Sequence, residues 1–159
     1  MKALFAGSFH PPTLGHIDLI KEASGMFEGV IVAIMINAEK KYTISAEMRK
    51  QMLEKCLSEY KNVTVVIGTG LTCALAKELG AGVLVRGLRD SSDFDYEKRI
   101  ADLNRRQTGI ETVFIPSKPE YACIASSFVT DIARHGGKIT DMVPEQIEQD
   151  ILTAITKGV

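Results

Sequence analysis

The residues that could do chemistry begin after the first apolar run, in the stretch AGSFHPPTLGH, residues 6–16. Gly7 and Ser8 form a small-residue loop, and Gly15-His16 opens an amphipathic segment that predicts a helix. Free N–H groups at a helix start attract anions, and glycine lets a ligand approach the backbone. His16 could donate a hydrogen bond there to a developing negative charge. The alternative is that its ring only packs at the helix start.

Two basic clusters follow other apolar runs. Arg86-Gly87-Leu88-Arg89 comes just beyond a predicted strand, and Lys40-Lys41 follows another. Arginine binds phosphate oxygens bidentately and stays charged, and Gly87 keeps the backbone between the two arginines accessible. Each cluster alone is compatible with an ordinary exposed turn. Their shared place after strand ends favours phosphate binding.

Two other segments each allow two interpretations. In Asp93-Phe94-Asp95-Tyr96-Glu97, the carboxylates fit a helix start with Asp93 as N-cap, or direct metal ligation. In Ala125-Ser126-Ser127, the hydroxyl and N–H groups fit an ordinary N-cap or a second phosphate seat.

The elements that must position these residues alternate along the chain. Nearly continuous apolar runs predict buried parallel strands at 2–6, 30–36, 63–67, 82–86 and 112–116. Helical periodicity predicts helices at 45–57, 71–79, 94–106, 127–135 and after Pro144. The expected buried helix faces include Met48, Leu71, Phe94, Leu103 and Phe128. This alternation predicts one α/β domain over residues 1–159, a doubly wound Rossmann-like sheet of about five parallel strands flanked by helices.

Such a sheet binds ligands in the crevice beyond the carboxyl ends of its strands. The segments expected there are Gly7-Ser8, 37–41, 68–72, 86–89 and 116–118, most of which carry basic or hydroxyl side chains. The crevice therefore suits phosphates. The chain has neither a GxxxxGK[ST] loop nor a GxGxxG fingerprint, and no arrangement typical of covalent catalysis.

Composition narrows the class of protein. The 159 residues carry 19 basic and 20 acidic side chains, a formal charge of −1, and only 6% aromatic residues. That balance argues against a nucleic-acid binder. The amino-terminal apolar run is too short for a signal peptide or a membrane span, so we expect a cytoplasmic protein without a membrane partner. Cys56, Cys73 and Cys123 lack any CxxC pair and are expected to be small core residues.

Taken together, the motifs resemble a known family. GSFHPPTLGH is similar to the signature of the nucleotidyltransferase superfamily, and RGLRDSSDFDYE with IASS is similar to its phosphopantetheine adenylyltransferase branch. The likeness runs from Leu4 to about the helix after Pro144. It implies a direct in-line reaction in which ATP and 4'-phosphopantetheine give dephospho-coenzyme A and pyrophosphate, a step of coenzyme A biosynthesis.

The resemblance also implies roles for single residues. The catalytic residues it implies are His16, Lys40 and Arg86. Those implied to bind ATP are Ser8, Phe9, His16, Gly87, Leu88, Arg89, Glu97, Ser126 and Ser127. Those implied to bind the second substrate are Ser8, Lys40, Thr72 and Arg86. Mg²⁺ is expected with the ATP phosphates and not on protein ligands, and the family is generally a homohexamer inhibited by coenzyme A.

Two positions depart from the family pattern. His10 stands where the family commonly has Asp, and Ala125 where it has Ser, so we expect altered affinity with activity retained. A sister branch acting on nicotinate mononucleotide more often carries His where Thr13 stands. A non-catalytic nucleotide-binding module is the alternative of a different class, and it could dispense with His16.

Overall fold

The computed structural model describes residues 1–156. The strands are β1 (Lys2–Gly7), β2 (Gly29–Ile36), β3 (Val63–Thr69), β4 (Val83–Leu88) and β5 (Glu111–Pro116). The α-helices are α1 (Leu14–Met26), α2 (Ala46–Leu57), α3 (Thr72–Glu78), α4 (Ser91–Thr108), α5 (Ser126–Arg134) and α6 (Glu145–Thr156). A single 3-10 turn, Pro119–Tyr121, precedes α5.

The five strands form one parallel sheet in the order β3-β2-β1-β4-β5. Phe5 of β1 lies between Val32 of β2 and Val85 of β4, which fixes the register at the centre. The predicted doubly wound α/β fold with about five parallel strands is therefore confirmed. Because the connections run outward in both directions from β1 and β4, the sheet reverses its winding between these two strands. Parallel sheets form their ligand crevice at such a point.

Both faces of the sheet are covered, which explains why the strands are apolar on both sides. One core cluster packs β1, β2 and β4 against α1, α2, α5 and α6. The other packs Leu4, Ala33 and Leu84 against Cys73 and Ala76 of α3. Within residues 1–156, no helix is long and apolar enough to cross a membrane.

Several helix ends follow the sequence signals. Ser45 accepts a hydrogen bond from the amide of Met48 at 3.1 Å, as an N-cap should. Gly80 ends α3 with φ 70°, a conformation that favours glycine. The start of α4 differs from the prediction, because the cap is Asp90 and not Asp93: its carboxylate accepts from the amide of Asp93 at 2.9 Å. Asp93 is thereby left free for another partner.

The predicted buried faces are partly wrong. Met48 is exposed, and Arg49 beside it is buried with 1% of its surface accessible. Leu71, Phe94, Leu103 and Phe128 were also expected to be buried and are exposed. Of the 18 residues of α4, Glu97 is the buried one. The periodicity located the helices, but it could not distinguish a face against this sheet from a face left outside.

The prediction for the cysteines holds at two positions out of three. Cys56 and Cys73 are buried, whereas Cys123 is exposed. Cys123 follows the 3-10 turn, in the connection that leads to α5 and not in a packed element.

Gly68 offers a test of how closely α3 packs on the sheet. A Cβ at Gly68 would lie 2.3 Å from Cδ2 of Leu75 and 3.1 Å from Sδ of Met35. We expect Gly68→Ala to lower the free energy of unfolding by about 1–3 kcal/mol, since these partly buried neighbours, which pack against the core, must move. Urea denaturation measures the change.

The matched control is Gly25→Ala in α1, where an added Cβ meets nothing within 4 Å. That variant should gain up to about 1 kcal/mol, because alanine loses less backbone entropy in a helix. Shortening the neighbour in Gly68→Ala/Leu75→Ala should remove the clash, so the two substitutions should be less harmful together than their sum. Additive effects would contradict this account of the packing.

Candidate active site

The predicted crevice exists between the carboxyl ends of β1 and β4. It is a cleft of about 260 Å³. Six of the predicted catalytic and binding residues line it: His16, Arg86, Gly87, Arg89, Glu97 and Ser126. Further lining comes from Thr13, Tyr121 and Ile124, which the sequence analysis did not single out for this site, and from Ala125 of the segment before α5.

His16 is held by a capping box at the start of α1. Thr13 is the N-cap: its hydroxyl accepts from the amide of His16 at 3.4 Å, and its own amide donates to Nδ1 of His16 at 3.1 Å. Because Nδ1 accepts a hydrogen bond from a backbone amide, the neutral ring carries its hydrogen on Nε2. Nε2–H is therefore the group that His16 can offer to a ligand in the cleft.

The surroundings of His16 keep its ring neutral. Burial, together with the smaller effect of the charges of Arg86 and Arg89, lowers the pKa of His16 from 6.5 to about 4. The ring meets the buried Phe9 edge to face, with 5.0 Å between centroids. The packing alternative and the donor hypothesis are thus compatible, because the contacts that pack the ring also orient its free N–H.

Arg86 lies inside β4, and not beyond it as the sequence suggested, because the strand continues to Leu88. Its Nη1 donates to the carbonyl of Ala6 at 2.7 Å, while Nε and Nη2 donate to the two carboxylate oxygens of Glu97 at 2.8 and 2.5 Å. Three of the five N–H groups of a guanidinium are thus used, and two are left for a ligand. Glu97 is 8% exposed and lines the cleft as the partner of Arg86.

Arg89 has an equivalent partner one helical turn away. Its Nε and Nη2 donate to the carboxylate of Asp93 at 2.8 and 3.0 Å. Hydrogen bonding to Arg89 lowers the pKa of Asp93, and the same bonds raise the pKa of Arg89. Asp93 and Glu97 are four residues apart on α4 and therefore share a face. The acidic segment thus holds the two arginines, which neither interpretation of it had included.

Gly87 has a packing role in addition to the accessible backbone proposed from the sequence. A Cβ there would lie 2.2 Å from Cδ1 of Leu19, a buried residue of α1. The glycine lets α1 approach β4 closely, and this approach brings His16 and Arg86 to the same cleft.

A second cleft of about 430 Å³ adjoins the first, and Ser126 lines both. It contains the predicted residues Ser8, Lys40 and Ser127, and also Lys41 and Arg134. The predicted residues are therefore divided between two neighbouring spaces, one with the arginines and His16 and the other with Lys40.

The two helix starts at these clefts differ in how open they are to an anion. In α1, the amide of Leu14 donates to the carbonyl of Met142 and that of His16 to Thr13, so this start is less open than predicted. In α5, the N-cap residue Ala125 makes no side-chain hydrogen bond to the helix. The Ser126 hydroxyl donates to the carbonyl of Pro11 at 2.8 Å, which ties α5 to the loop after β1. This favours α5 as a phosphate seat.

Three predicted site residues line neither cleft. Phe9 is fully buried with φ 46°, so only its backbone could reach a ligand. Leu88 ends β4, and Thr72 begins α3 after the end of β3. Roles for these three remain predictions. Lys118, on the expected rim after β5, is paired with Asp18 of α1 and lies 3.5 Å from Glu22.

Sequence reasoning missed Thr13 and Arg49. Thr13 stands three residues before His16, the spacing of a capping box, but histidine is not the usual partner in that motif. Arg49 interrupts an otherwise amphipathic helix, and its burial could not be read from periodicity. Its Nη1 donates to the carbonyl of Ser8 at 2.5 Å, so this side chain of α2 holds the loop after β1.

Comparison with known proteins shows the family to which the chain belongs. Residues 4–132 match the cytidylyltransferase-like family. A phosphopantetheine adenylyltransferase from Flavobacterium psychrophilum is 45% identical over 146 residues, covering 92% of this chain and 97% of the relative. The enzyme of the same name from a Synechocystis species is 43% identical over 155 residues, covering 97% and 98%.

A solved structure shows the same fold. The putative nicotinate-nucleotide adenylyltransferase from Vibrio parahaemolyticus superposes with a TM-score of 0.69 over 99% of this chain and 93% of that one, at 18% identity. At that identity the likeness extends to the architecture alone. The sequence relatives are much closer and cover almost the whole chain, so the protein belongs to the phosphopantetheine adenylyltransferases of the cytidylyltransferase-like family.

Proposed function

We propose that this protein transfers the adenylyl group of ATP to 4'-phosphopantetheine, giving dephospho-coenzyme A and pyrophosphate. The observation that carries the proposal is the neutral His16, whose Nε2–H is available in a cleft beside Arg86 and Arg89. The names of the relatives identify which adenylyl transfer this site performs.

The reaction needs no general base. The phosphate of 4'-phosphopantetheine is already ionised, so one of its oxygens attacks the α-phosphorus of ATP directly. A new P–O bond forms, the bond from the α-phosphorus to the bridging oxygen breaks, and pyrophosphate leaves with that electron pair. Nε2–H of His16 donates to the α-phosphate, where negative charge develops in the transition state.

The remaining barrier is the repulsion between two anions that must meet in line. Arg86 has two N–H groups left after binding Ala6 and Glu97, and both can hold the attacking phosphate. Arg89 and Gly87, which line the first cleft, grip ATP together with the backbone of Leu88. Lys40, which lines the second cleft, approaches the attacking phosphate. Orientation and charge neutralisation together provide the catalysis.

The other predicted residues have subsidiary parts in the proposal. Ser8 lies between the phosphates of the two substrates, and Ser126 and Ser127 receive ATP phosphates at the start of α5. Glu97, which the resemblance implied to bind ATP, acts instead through Arg86 on the attacking phosphate, since both of its oxygens are bound to Arg86. Thr72 lines the path of the pantetheine arm.

Magnesium enters the reaction as part of the substrate, MgATP. Among the described residues 1–156, no group of three or more His, Cys, Asp or Glu side chains could hold a metal ion. The carboxylates of Asp93 and Glu97, which the sequence suggested as metal ligands, are each paired with an arginine. The ion would be held by ATP phosphates and water, where it offsets their charge.

Pyrophosphate release from the purified protein tests the assignment. With MgATP, we expect release on addition of 4'-phosphopantetheine and none with nicotinate mononucleotide or glycerol 3-phosphate. Turnover only with one of the other two would move the protein to a sister branch. Tight ATP binding without turnover on any of the three would identify a binding module instead.

Replacing His16 tests the transition-state role. In His16→Ala, we expect kcat to fall about 10²–10³-fold, the usual loss on removing one such donor, while the Kd for ATP changes little. The control is His135→Ala, which removes an exposed imidazole at the end of α5 and should leave kcat unchanged. Normal turnover in His16→Ala would contradict the role.

We further propose that the protein is a homohexamer and that coenzyme A inhibits it, since coenzyme A contains the whole product. The surface that supports an assembly is on α4, where Tyr96, Ile100 and Leu103 form one stripe. Tyr96 is 65% and Leu103 55% exposed, so the stripe is open in the monomer.

Leu103→Asp should reduce the mass measured by analytical ultracentrifugation, because a charge in an apolar interface is costly. Met26→Asp, at a residue 58% exposed at the end of α1 on the opposite side of the sheet, is the control and should keep the mass of the parent protein. An unchanged mass for Leu103→Asp would exclude this stripe as the interface.

A further inference from the structure

His10 links the loop after β1 to the segment that carries Lys40. The sequence shows only that His10 stands where the family commonly has Asp. In the structure, its Nε2 accepts a hydrogen bond from the amide of Ile44 at 3.1 Å and lies 3.1 Å from Oγ1 of Thr43. Ile44 is fully buried, so this contact fixes one end of the segment 37–45 against the protein.

A second chain of contacts joins the same two segments. The ring of Tyr42 meets His10 edge to face, with 5.1 Å between centroids, and the guanidinium of Arg49 lies 4.3 Å from the centre of the Tyr42 ring. Arg49 donates in turn to the carbonyl of Ser8 at 2.5 Å. Ser8 and His10 are thus bound to Tyr42 and Ile44 through a closed network.

The hydrogen bond from Ile44 requires an unprotonated Nε2, and the surroundings of His10 provide for that. Burial, together with the smaller effect of the charges of Arg49 and Arg134, lowers the pKa of His10 from 6.5 to about 4. The ionisable groups that line the cleft around His10 come from the segment 37–45 and from α5: Lys40, Lys41, Tyr42, Asp131 and Arg134. His10 is therefore a neutral acceptor at pH 7.

Lys40 depends on this network for its position. Its side chain is exposed, and its segment contains no helix or strand between the end of β2 and the start of α2. The turn is shaped locally by the amides of Lys40 and Glu39, which donate to the carbonyl and side chain of Asn37 at 3.0 and 2.9 Å. What relates this turn to Ser8 is the network of His10, Tyr42 and Arg49.

We propose that His10 is a positioning residue: it holds the segment 37–45 beside Ser8 so that Lys40 meets the attacking phosphate of 4'-phosphopantetheine. The inference rests on the proposed function for the identity of that phosphate. It goes beyond the function by assigning to a residue outside the family pattern a role that depends on its acceptor nitrogen.

Three His10 variants separate the acceptor from the packing. His10→Phe keeps a ring against Tyr42 and removes the acceptor, His10→Gln keeps an acceptor of similar reach, and His10→Ala removes both. In His10→Phe, we expect kcat/KM for 4'-phosphopantetheine to fall about 5- to 10-fold, the worth of one hydrogen bond, while the Kd for ATP changes less than about 2-fold. His10→Gln should recover most of the loss, and His10→Ala should lose at least as much as His10→Phe.

A double-mutant cycle tests whether His10 acts through Lys40. In a Lys40→Ala background, His10→Phe should have almost no further effect on kcat/KM, because the group that it positions is gone. Independent losses that multiply would overturn the proposal, as would equal losses for both substrates or a His10→Gln variant as impaired as His10→Phe.

Hydrogen exchange provides a readout that needs no turnover. The amide of Ile44 should exchange faster in His10→Phe and at the parent rate in His10→Gln, whichever substrate the enzyme uses. If the parent protein fails with 4'-phosphopantetheine but Ile44 behaves as expected, the proposed substrate is wrong and the link stands. Unchanged exchange in His10→Phe would overturn the link itself.

Discussion

Arg86 is the constraint on which the rest of the site depends. Its guanidinium is bound to the end of β1 through the carbonyl of Ala6 and to α4 through both oxygens of Glu97. It therefore joins three elements at the point where the sheet reverses its winding. A buried carboxylate such as Glu97 is tolerated only with a partner of this kind. The carboxylate of Glu97 in turn limits the repulsion between Arg86 and Arg89, whose positive charges both line the cleft.

His16, like Arg86, has both a structural role and a place in the cleft. The hydrogen bond that completes the cap of α1 uses Nδ1, which leaves the hydrogen on Nε2. Local structure thus determines the tautomer, and the tautomer determines what the ring can do for a ligand. The close approach of α1 to β4 at Gly87 then sets this ring near the arginines. The cap formed by Thr13 orients the His16 ring, and the packing of Leu19 on Gly87 brings that ring to the cleft.

The fold and the place of the site could be predicted because they depend on local patterns. Continuous apolar runs identified all five strands, and strand ends identified the crevice. What could not be predicted depends on pairing in space. The carboxylates of Asp93 and Glu97 suggested a cap or a metal, since nothing in the sequence shows that Arg89 and Arg86 lie opposite them. Arg49 was missed for the same reason, and the exposed face of α4 was misassigned because periodicity does not say what covers a helix.

The two halves of the site differ in how their cations are held, and this difference bears on the proposed reaction. Arg86 and Arg89 are each fixed by two bonds to a carboxylate, so little of their freedom is lost when a phosphate binds. Lys40 lies on a segment without regular structure, and its side chain has the full entropy of an exposed lysine. A phosphate held by the arginines would find its geometry already set, whereas its contact with Lys40 must be ordered by the network of His10, Tyr42 and Arg49. The arginines would thus form a rigid phosphate site. The position of Lys40 would depend on the link between the loop after β1 and the segment 37–45.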